Sequence, residues 1–368
     1  SWRKACAVPS NGHARNKDSR FNMTLHHLIT GGSGFFGQHL IEALLKRGDA
    51  VTVFDLAELD PSVQAKGVTY VKGDIRDLEA LRAAFKGIDV VHHNAAVLPI
   101  SRSGKVFWDV NVQGTKNVLQ AALENGVKKV LNVSTSSVYG IPKSVPITEE
   151  TPLTPLGQYG FAKEDGEKVV KEFRTKNNLD VSIVRPRTIV GTGRLGIFGI
   201  LFDWVRRGKR VYIIDKGDNL FQLVSAPDLA DACVRIATMP CKNEDFNIGA
   251  DVFGTVRGDL EKLIAHAGTG ARVQPTPGPL VRGVLTVVDW LKISPLVDWH
   301  YKTPHKPFFF DCTKAKTMLG WQPKDSNEKA LCDTYDWYLA HRDEAEKTGT
   351  THRKSVKQGV LKILRAFS

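Results

Sequence analysis

Cysteine is scarce in this chain. Its 368 residues hold five (Cys6, Cys233, Cys241, Cys312 and Cys332), odd in number, scattered and never spaced as Cys-x-x-Cys. That pattern argues against a disulfide frame and a zinc site, so no metal is expected, and it points to reduced thiols in a cytosol-like compartment. Long hydrophobic runs are missing as well. None reaches the roughly 18 uninterrupted apolar residues of a membrane-crossing helix. Residues 1–22 lack the hydrophobic stretch of a secretory signal. They are basic and nearly free of acid, which fits an organelle-import leader. The plainer reading takes Met23 as the natural start, with a disordered leader before it and a cytoplasmic protein after it. No internal repeat is visible.

Acid is short mainly at the two ends. Residues 1–22 set five cations against Asp18 and carry +4, while residues 341–368 set seven cations against three acids and carry another +4. Of the net charge of +12, the body at 23–340 therefore keeps only +4. A nucleic-acid face needs a basic stripe on the folded domain, and none is present, so no nucleic acid is expected as a partner. The hydrophobic share, 42%, is enough for a full core in one large domain or two.

What is present centres on Thr30-Gly31-Gly32-Ser33-Gly34-Phe35-Phe36-Gly37. A short run at 25–30, with Leu28 and Ile29 near its end, leads in. An amphipathic run leads out, with Leu40, Ile41, Leu44 and Leu45 on one face and Arg47-Gly48 at its end. The layout is strand, glycine turn, helix. Residues without a Cβ let the backbone bend tightly and let a phosphate approach the amides at the helix N-terminus. A second strand at 50–55 ends in Asp55, placed to take the ribose hydroxyls of a dinucleotide. A carboxylate there repels a 2′-phosphate and no arginine follows directly, so NAD is favoured over NADP.

A third strand at 68–71 leads to Gly73-Asp74-Ile75-Arg76-Asp77, where Asp77 reads as a helix N-cap. Asp74 is either a turn aspartate or an adenine contact. The fourth strand, 88–93, ends in His93-Asn94-Ala95-Ala96, small residues suited to close approach of a ligand. His92 and His93 have no metal-spaced partners and read as packing residues. A helix over 106–124 contains Asn111. The fifth strand, 128–133, runs into Ser134-Thr135-Ser136, and a sixth, 181–184, is closed by Arg185-Pro186. This rhythm predicts right-handed βαβ units and an α/β fold with a doubly wound parallel (Rossmann) sheet, ligands lying outside the carboxyl ends of the strands.

Tyr159 and Lys163 lie four apart on a helix and so share a face. A cation beside a phenol stabilises the phenolate, and a phenol so tuned can exchange a proton with a substrate hydroxyl while hydride moves at the carbon. The hydroxyls at 134–136 are suited to hold that oxygen. The glycine turn, strand-end acid, Asn helix, hydroxyl strand end and Tyr/Lys pair follow the order a nicotinamide enzyme needs.

Over roughly residues 25–340 the chain resembles the extended short-chain dehydrogenase/reductases, in their epimerase/dehydratase and 3β-hydroxysteroid-dehydrogenase-like branch. The resemblance places Gly31, Gly34 and Gly37, with Ser33, Phe35 and Phe36 between them, on the cofactor diphosphate. It places Asp55 on the ribose, Asp74 and Ile75 beside the adenine, and Asn94, Ala95, Ala96 and Pro186 along the cofactor. It implies Tyr159 and Lys163 as the catalytic pair, with Lys163 also on the nicotinamide ribose. Thr135 falls at the catalytic hydroxyl, with Ser134 and Ser136 as competitors, and Asn111 at a helix asparagine of catalytic or supporting role. The resemblance further implies a homodimer through the Tyr-bearing helix.

One departure bears on the substrate. Nucleotide-sugar epimerases resembling this chain grip a pyrophosphate with an arginine where Phe221 stands here. Its loss removes a charge-assisted bond of a few kcal/mol, unless Arg187 or Arg194 compensates; Arg187 by itself reads as a solvated surface residue. A Rossmann domain is thus expected over 23–190 and a smaller, mixed substrate lobe over 191–340, part of it returning to the sheet, before a basic tail over 341–368. The apolar stretch 279–299 reads as core or as a pocket for a lipid, steroid-like or aromatic substrate. In the tail, apolar residues at helical spacing among lysines suggest weak contact with an anionic membrane surface, against the plainer reading of a frayed end. Three functions remain in play: an NAD-dependent oxidoreductase on an apolar alcohol or ketone, a nucleotide-sugar 4-epimerase or dehydratase with tightly held NAD, and a non-catalytic nucleotide-binding scaffold.

Overall fold

The structure, a computed structural model, describes residues 24–98, 104–278 and 306–345. The extension at 1–22, the apolar stretch 279–299 and the tail beyond 345 lie outside the described residues. Seven parallel strands form the central sheet: β1 (His26–Thr30), β2 (Ala50–Asp55), β3 (Thr69–Lys72), β4 (Val90–His93), β5 (Lys129–Val133), β6 (Val181–Pro186) and β10 (Asp245–Ile248). Their order is β10-β6-β5-β4-β1-β2-β3. The chain therefore reverses direction across the sheet between β1 and β4, and the crevice of a doubly wound fold opens at that switch point. β10 comes from well beyond residue 191 and pairs with β6 residue for residue, Phe246 with Val184 and Ile248 with Pro186.

Helices cover both faces. α1 (Phe35–Arg47) and α8 (Ala226–Thr238) pack on one side, with α10 (Thr313–Leu319) against α8. α3 (Leu78–Ala84), α5 (Thr115–Glu124) and α6 (Gly157–Asn177) pack on the other. The remaining early helices, α2 (Pro61–Gln64) and α4 (Val106–Trp108), are single turns. Local chemistry sets the boundaries. α1 stops where Gly48, at φ 89°, turns its amide back to the carbonyls of Leu44 and Leu45, with Lys46 and Arg47 complementing the C-terminal dipole. α3 starts where the Asp77 carboxylate accepts from the Ala80 amide, and α8 where the Ser225 hydroxyl accepts from the Asp228 amide. A separate apolar cluster holds the lobe built from α7 (Gly196–Arg206), β8 (Arg210–Ile214), α9 (Val256–Ala267), β11 (Arg272–Thr276) and α11 (Asn327–Ala345), with Phe202 packed on Tyr335 and Tyr338 at 5.7 Å each. The short pair β7 (Thr188–Val190) and β9 (Leu223–Ser225) joins the lobe to the sheet. Among the described residues no helix is long and apolar enough to cross a membrane.

The histidines at the ends of β1 and β4 are core residues. His27 and His92 are both fully buried and share a ring-to-ring hydrogen bond of 3.1 Å. His93 is held by the hydroxyls of Thr30 (2.8 Å) and Thr115 (3.0 Å). Burial pushes His27 down to about 4 and His93 down to about 3, only partly offset for His27 by Asp49. Below pH 6.5 the unfolded chain takes up protons that these sites refuse, so stability falls as pH drops toward those values and returns above pH 6.5. At pH 5 the loss is on the order of 2 kcal/mol for each of the two. Thermal melts between pH 7 and pH 5 should show this decline, and it should shrink in a His93→Gln variant.

Candidate active site

The carboxyl ends of β1, β2, β4, β5 and β6 converge on one edge, and the residues singled out in the sequence gather there. The Gly31 amide donates to the Phe54 carbonyl at 3.0 Å, and Gly31 sits at φ 72°. A Cβ on Gly31 would stand 2.8 Å from the Ala95 backbone, and one on Gly37 would stand 2.4 Å from the Gly32 carbonyl. Both glycines are therefore required by close approach, the first of β1 to the Asn94–Ala96 segment and the second of helix to turn. α1 opens at Gly34 with no side chain capping it. Its first-turn amides and positive dipole end thus face the crevice, the arrangement that receives a diphosphate.

Asp55 does more than the sequence indicates. Its two carboxylate oxygens accept from the Ser33 amide (2.9 Å) and the Ala57 amide (3.0 Å), and the Ser33 hydroxyl donates to the Ala57 carbonyl (2.9 Å). The strand-end acid therefore also ties down the glycine turn. Burial raises its pKa against the opposing pull of its hydrogen bonds from Ala57, Ser33 and Leu56. Asp74 pairs with Arg76, accepting from its Nε at 3.0 Å, while Ile75 is buried over Gly114, where a Cβ would meet its Cδ1 at 2.5 Å. The Asn94 side-chain amide is buried beside the glycine turn with neither its oxygen nor its nitrogen partnered. The open helix end, the Cβ-free turn and this unpartnered amide fit a dinucleotide.

Thr135 caps the 3₁₀ turn Ser136–Tyr139, accepting from the Ser137 amide at 3.1 Å. Its side chain also shares a hydrogen bond with the Tyr159 hydroxyl. The neighbouring hydroxyls turn elsewhere: Ser134 donates to Glu167 at 2.6 Å, and Ser136 accepts from Arg187 Nη1 at 3.0 Å. Thr135 alone of the three is thus on the Tyr159 hydroxyl. The Tyr159 ring packs edge-on against Phe107, centroids 6.3 Å apart. Burial pushes its hydroxyl up to about 12, opposed by the Thr135 bond and by the positive charge of Arg194. The sequence assigns that electrostatic role to Lys163. In the structure the Lys163 ammonium donates to the Val133 carbonyl at 2.8 Å, and burial lowers it to about 8 against the raising effect of Glu167. Arg194, from the start of the lobe, also lies over the Phe35 ring at 5.4 Å, so one cation reaches both the glycine turn and the phenol.

Asn111 stands behind the site. Its side chain exchanges two hydrogen bonds with the Val97 backbone, at 2.9 and 3.2 Å, and so fixes the segment that carries Asn94 to Ala96. It sits in a π-helical turn, Asp109–Gly114, that interrupts the helix expected over 106–124. Gly166 of α6 allows the close pass, since a Cβ there would lie 2.7 Å from the Asn111 carbonyl. Pro186 is buried at the end of β6. Arg187 corrects the sequence reading: it is 1% exposed rather than solvated. Its guanidinium lies 4.8 Å from the Phe221 ring and 4.1 Å from the Phe308 ring. Among the described residues no cluster of potential ligands could hold a metal ion.

Comparison with known proteins places this geometry in a lineage. Residues 27–249 match the model of the NAD dependent epimerase/dehydratase family. The chain is 41% identical over 339 residues to the uncharacterized protein y4nG of Sinorhizobium fredii, covering 92% of this chain and 85% of that one. It is 28% identical over 327 residues to the mouse sterol-4-alpha-carboxylate 3-dehydrogenase, decarboxylating, covering 82% and 88%. Among solved structures it is similar to DesIV, a dTDP-glucose 4,6-dehydratase from Streptomyces venezuelae solved with NAD and TYD bound. That match has 25% identity and a TM-score of 0.71 over 87% of this chain and 98% of that one.

Proposed function

The chain belongs to the NAD-dependent epimerase/dehydratase family, and from that premise we propose that it transfers a hydride between NAD and a secondary alcohol or ketone of a fairly apolar substrate. NAD supplies the hydride acceptor or donor at the reacting carbon. The protein's part is to manage the oxygen. Thr135 holds it by hydrogen bond, and Tyr159 gives or takes the proton as charge develops. Lys163 orients the cofactor ribose, and the first turn of α1 with the Asp55-braced glycine turn receives the diphosphate and adenosine ribose. Asn111 acts as a positioning residue through Val97.

The observation that carries the apolar reading is Phe221. Its ring stands where the resembling nucleotide-sugar enzymes carry a pyrophosphate-gripping arginine, and it is packed against Arg187. Arg187 in turn spends two donors on Ser136 and the Gln222 carbonyl. At the Phe221 position itself a substrate diphosphate would forgo the charge-assisted bond that the arginine supplies in those enzymes. The test is a screen of purified protein for NAD or NADP reduction and oxidation with steroid alcohols, long-chain β-hydroxy and β-keto compounds, and UDP-, GDP- and dTDP-sugars. Net NADH formation or consumption with the apolar compounds is expected. Saturable sugar-nucleotide turnover without net NADH would overturn this reading in favour of an epimerase or dehydratase.

A further inference from the structure

Two arginines two residues apart are buried to the same degree, and the fold treats them differently. Arg185 is 1% exposed and meets both Glu167 (2.6 Å) and Asp245 (3.0 Å). Arg187, also 1% exposed, has no acid partner among the described residues. Among the described residues the one titratable group that bears on it is the Cys312 thiol, which burial pushes up to about 12 and so keeps neutral. Its Nε donates to the Gln222 carbonyl at 3.1 Å and its Nη1 to Ser136 Oγ at 3.0 Å. Its Nη2 is buried with no hydrogen-bond partner. Phe308 and Phe221 flank the guanidinium, and their ring faces offset only part of the lost hydration. An unneutralised buried guanidinium is unfavourable in isolation and is retained where something else brings the counter-charge.

The placement says what that is. Ser136 adjoins Thr135, the residue on the Tyr159 hydroxyl, so Arg187 is hydrogen-bonded to the immediate neighbour of the reacting centre. We infer that Arg187 is the receptor for a carboxylate carried by the otherwise apolar substrate. Nη2 has two unspent N–H groups, and the Ser136 hydroxyl, which accepts from Nη1, keeps its own proton to donate. Two donor groups beside a single charge match the two oxygens of one carboxylate. A diphosphate would bring more charge than one guanidinium between phenyl rings can neutralise. Phe221 is only half-buried, whereas Phe308 is 1% exposed, so of the two flanking rings Phe221 is the one nearer the surface. The same rings suit the apolar part of the ligand. This inference rests on the alcohol/ketone reading of the site and narrows it to hydroxy or keto acids.

The test measures binding to the NAD-loaded protein at pH 7 by calorimetry, with decanoate and methyl decanoate as probes. Wild type should hold decanoate at least about tenfold more tightly than the ester, the range expected for a charge-assisted bond. Arg187→Met should erase that preference, Arg187→Lys should restore part of it, and the ligand-free Arg187→Met protein should melt at or above the wild-type temperature. Tyr159→Phe should keep the preference, which separates this proposal from the hydride reading. A preference that persists without Arg187 in wild-type strength overturns the inference, as does equal or undetectable binding of the two probes by wild type. A lower melting point in Arg187→Met with the preference intact would make Arg187 a structural pillar instead.

Discussion

Tyr159→Phe should fold, bind NAD and turn over about 10² to 10⁴-fold more slowly than wild type, the range general acid–base catalysis supplies. The substitution removes one oxygen and keeps the ring on Phe107, so packing is preserved. What disappears is the proton that Thr135 and Arg194 address. In the unliganded protein burial holds the Tyr159 hydroxyl near 12, with the Thr135 bond and the Arg194 charge pulling the other way. At neutral pH the group is therefore a phenol, ready to protonate a carbonyl oxygen gaining negative charge. In the oxidising direction the base form must be created, and turnover should rise with pH. The measurement is kcat alongside the NAD dissociation constant. Loss of kcat with unchanged NAD affinity is the expected result, and undiminished turnover would remove Tyr159 from the mechanism.

The parts of this site that were legible in the sequence are those written locally. A glycine turn between a strand and a helix, an acid at the next strand end and a Tyr–Lys pair one helical turn apart each follow from spacing, because a short segment fixes its own geometry. Contacts between distant segments were not legible in the same way. Asp55 bracing the Ser33 amide joins positions 22 apart. Arg194 reaching Tyr159 requires the lobe to fold back over the sheet, and nothing near residue 194 announces it. The burial of Arg187 depends on Phe221 and Phe308, supplied from 34 and 121 residues further along. The π turn at Asn111 answers to Gly166 on a different helix, so a pattern read along 106–124 alone gives an unbroken helix. Thr135 could be separated from Ser134 and Ser136 only once Glu167 and Arg187 had claimed the other two hydroxyls.

Glu167→Ala should destabilise the protein by about 3–5 kcal/mol, because it leaves a buried arginine short of its principal partner. Glu167 lies one further turn along α6, in line with Tyr159 and Lys163, and is fully buried. Its Oε1 accepts from Arg185 Nε (2.9 Å) and from the Ser134 hydroxyl (2.6 Å), and its Oε2 from Arg185 Nη2 (2.6 Å). Asp245 still touches Arg185 in the variant, and Tyr139 still accepts from Nη1 at 3.1 Å, so part of the charge stays compensated. Denaturant unfolding reads the loss. Replacing both partners together, as Glu167→Met with Arg185→Met, should recover much of it, since no charge is then stranded. The same carboxylate raises the pKa of Lys163 against the larger effect of burial, and the two together leave that ammonium at about 8. Without it, Lys163 should deprotonate at lower pH, and the pH limb of activity that reports on that ammonium should move down. A stability loss with an unmoved limb would confine Glu167 to the core; movement of both would show that the buried pair beneath the sheet edge also sets the charge available to the site above it.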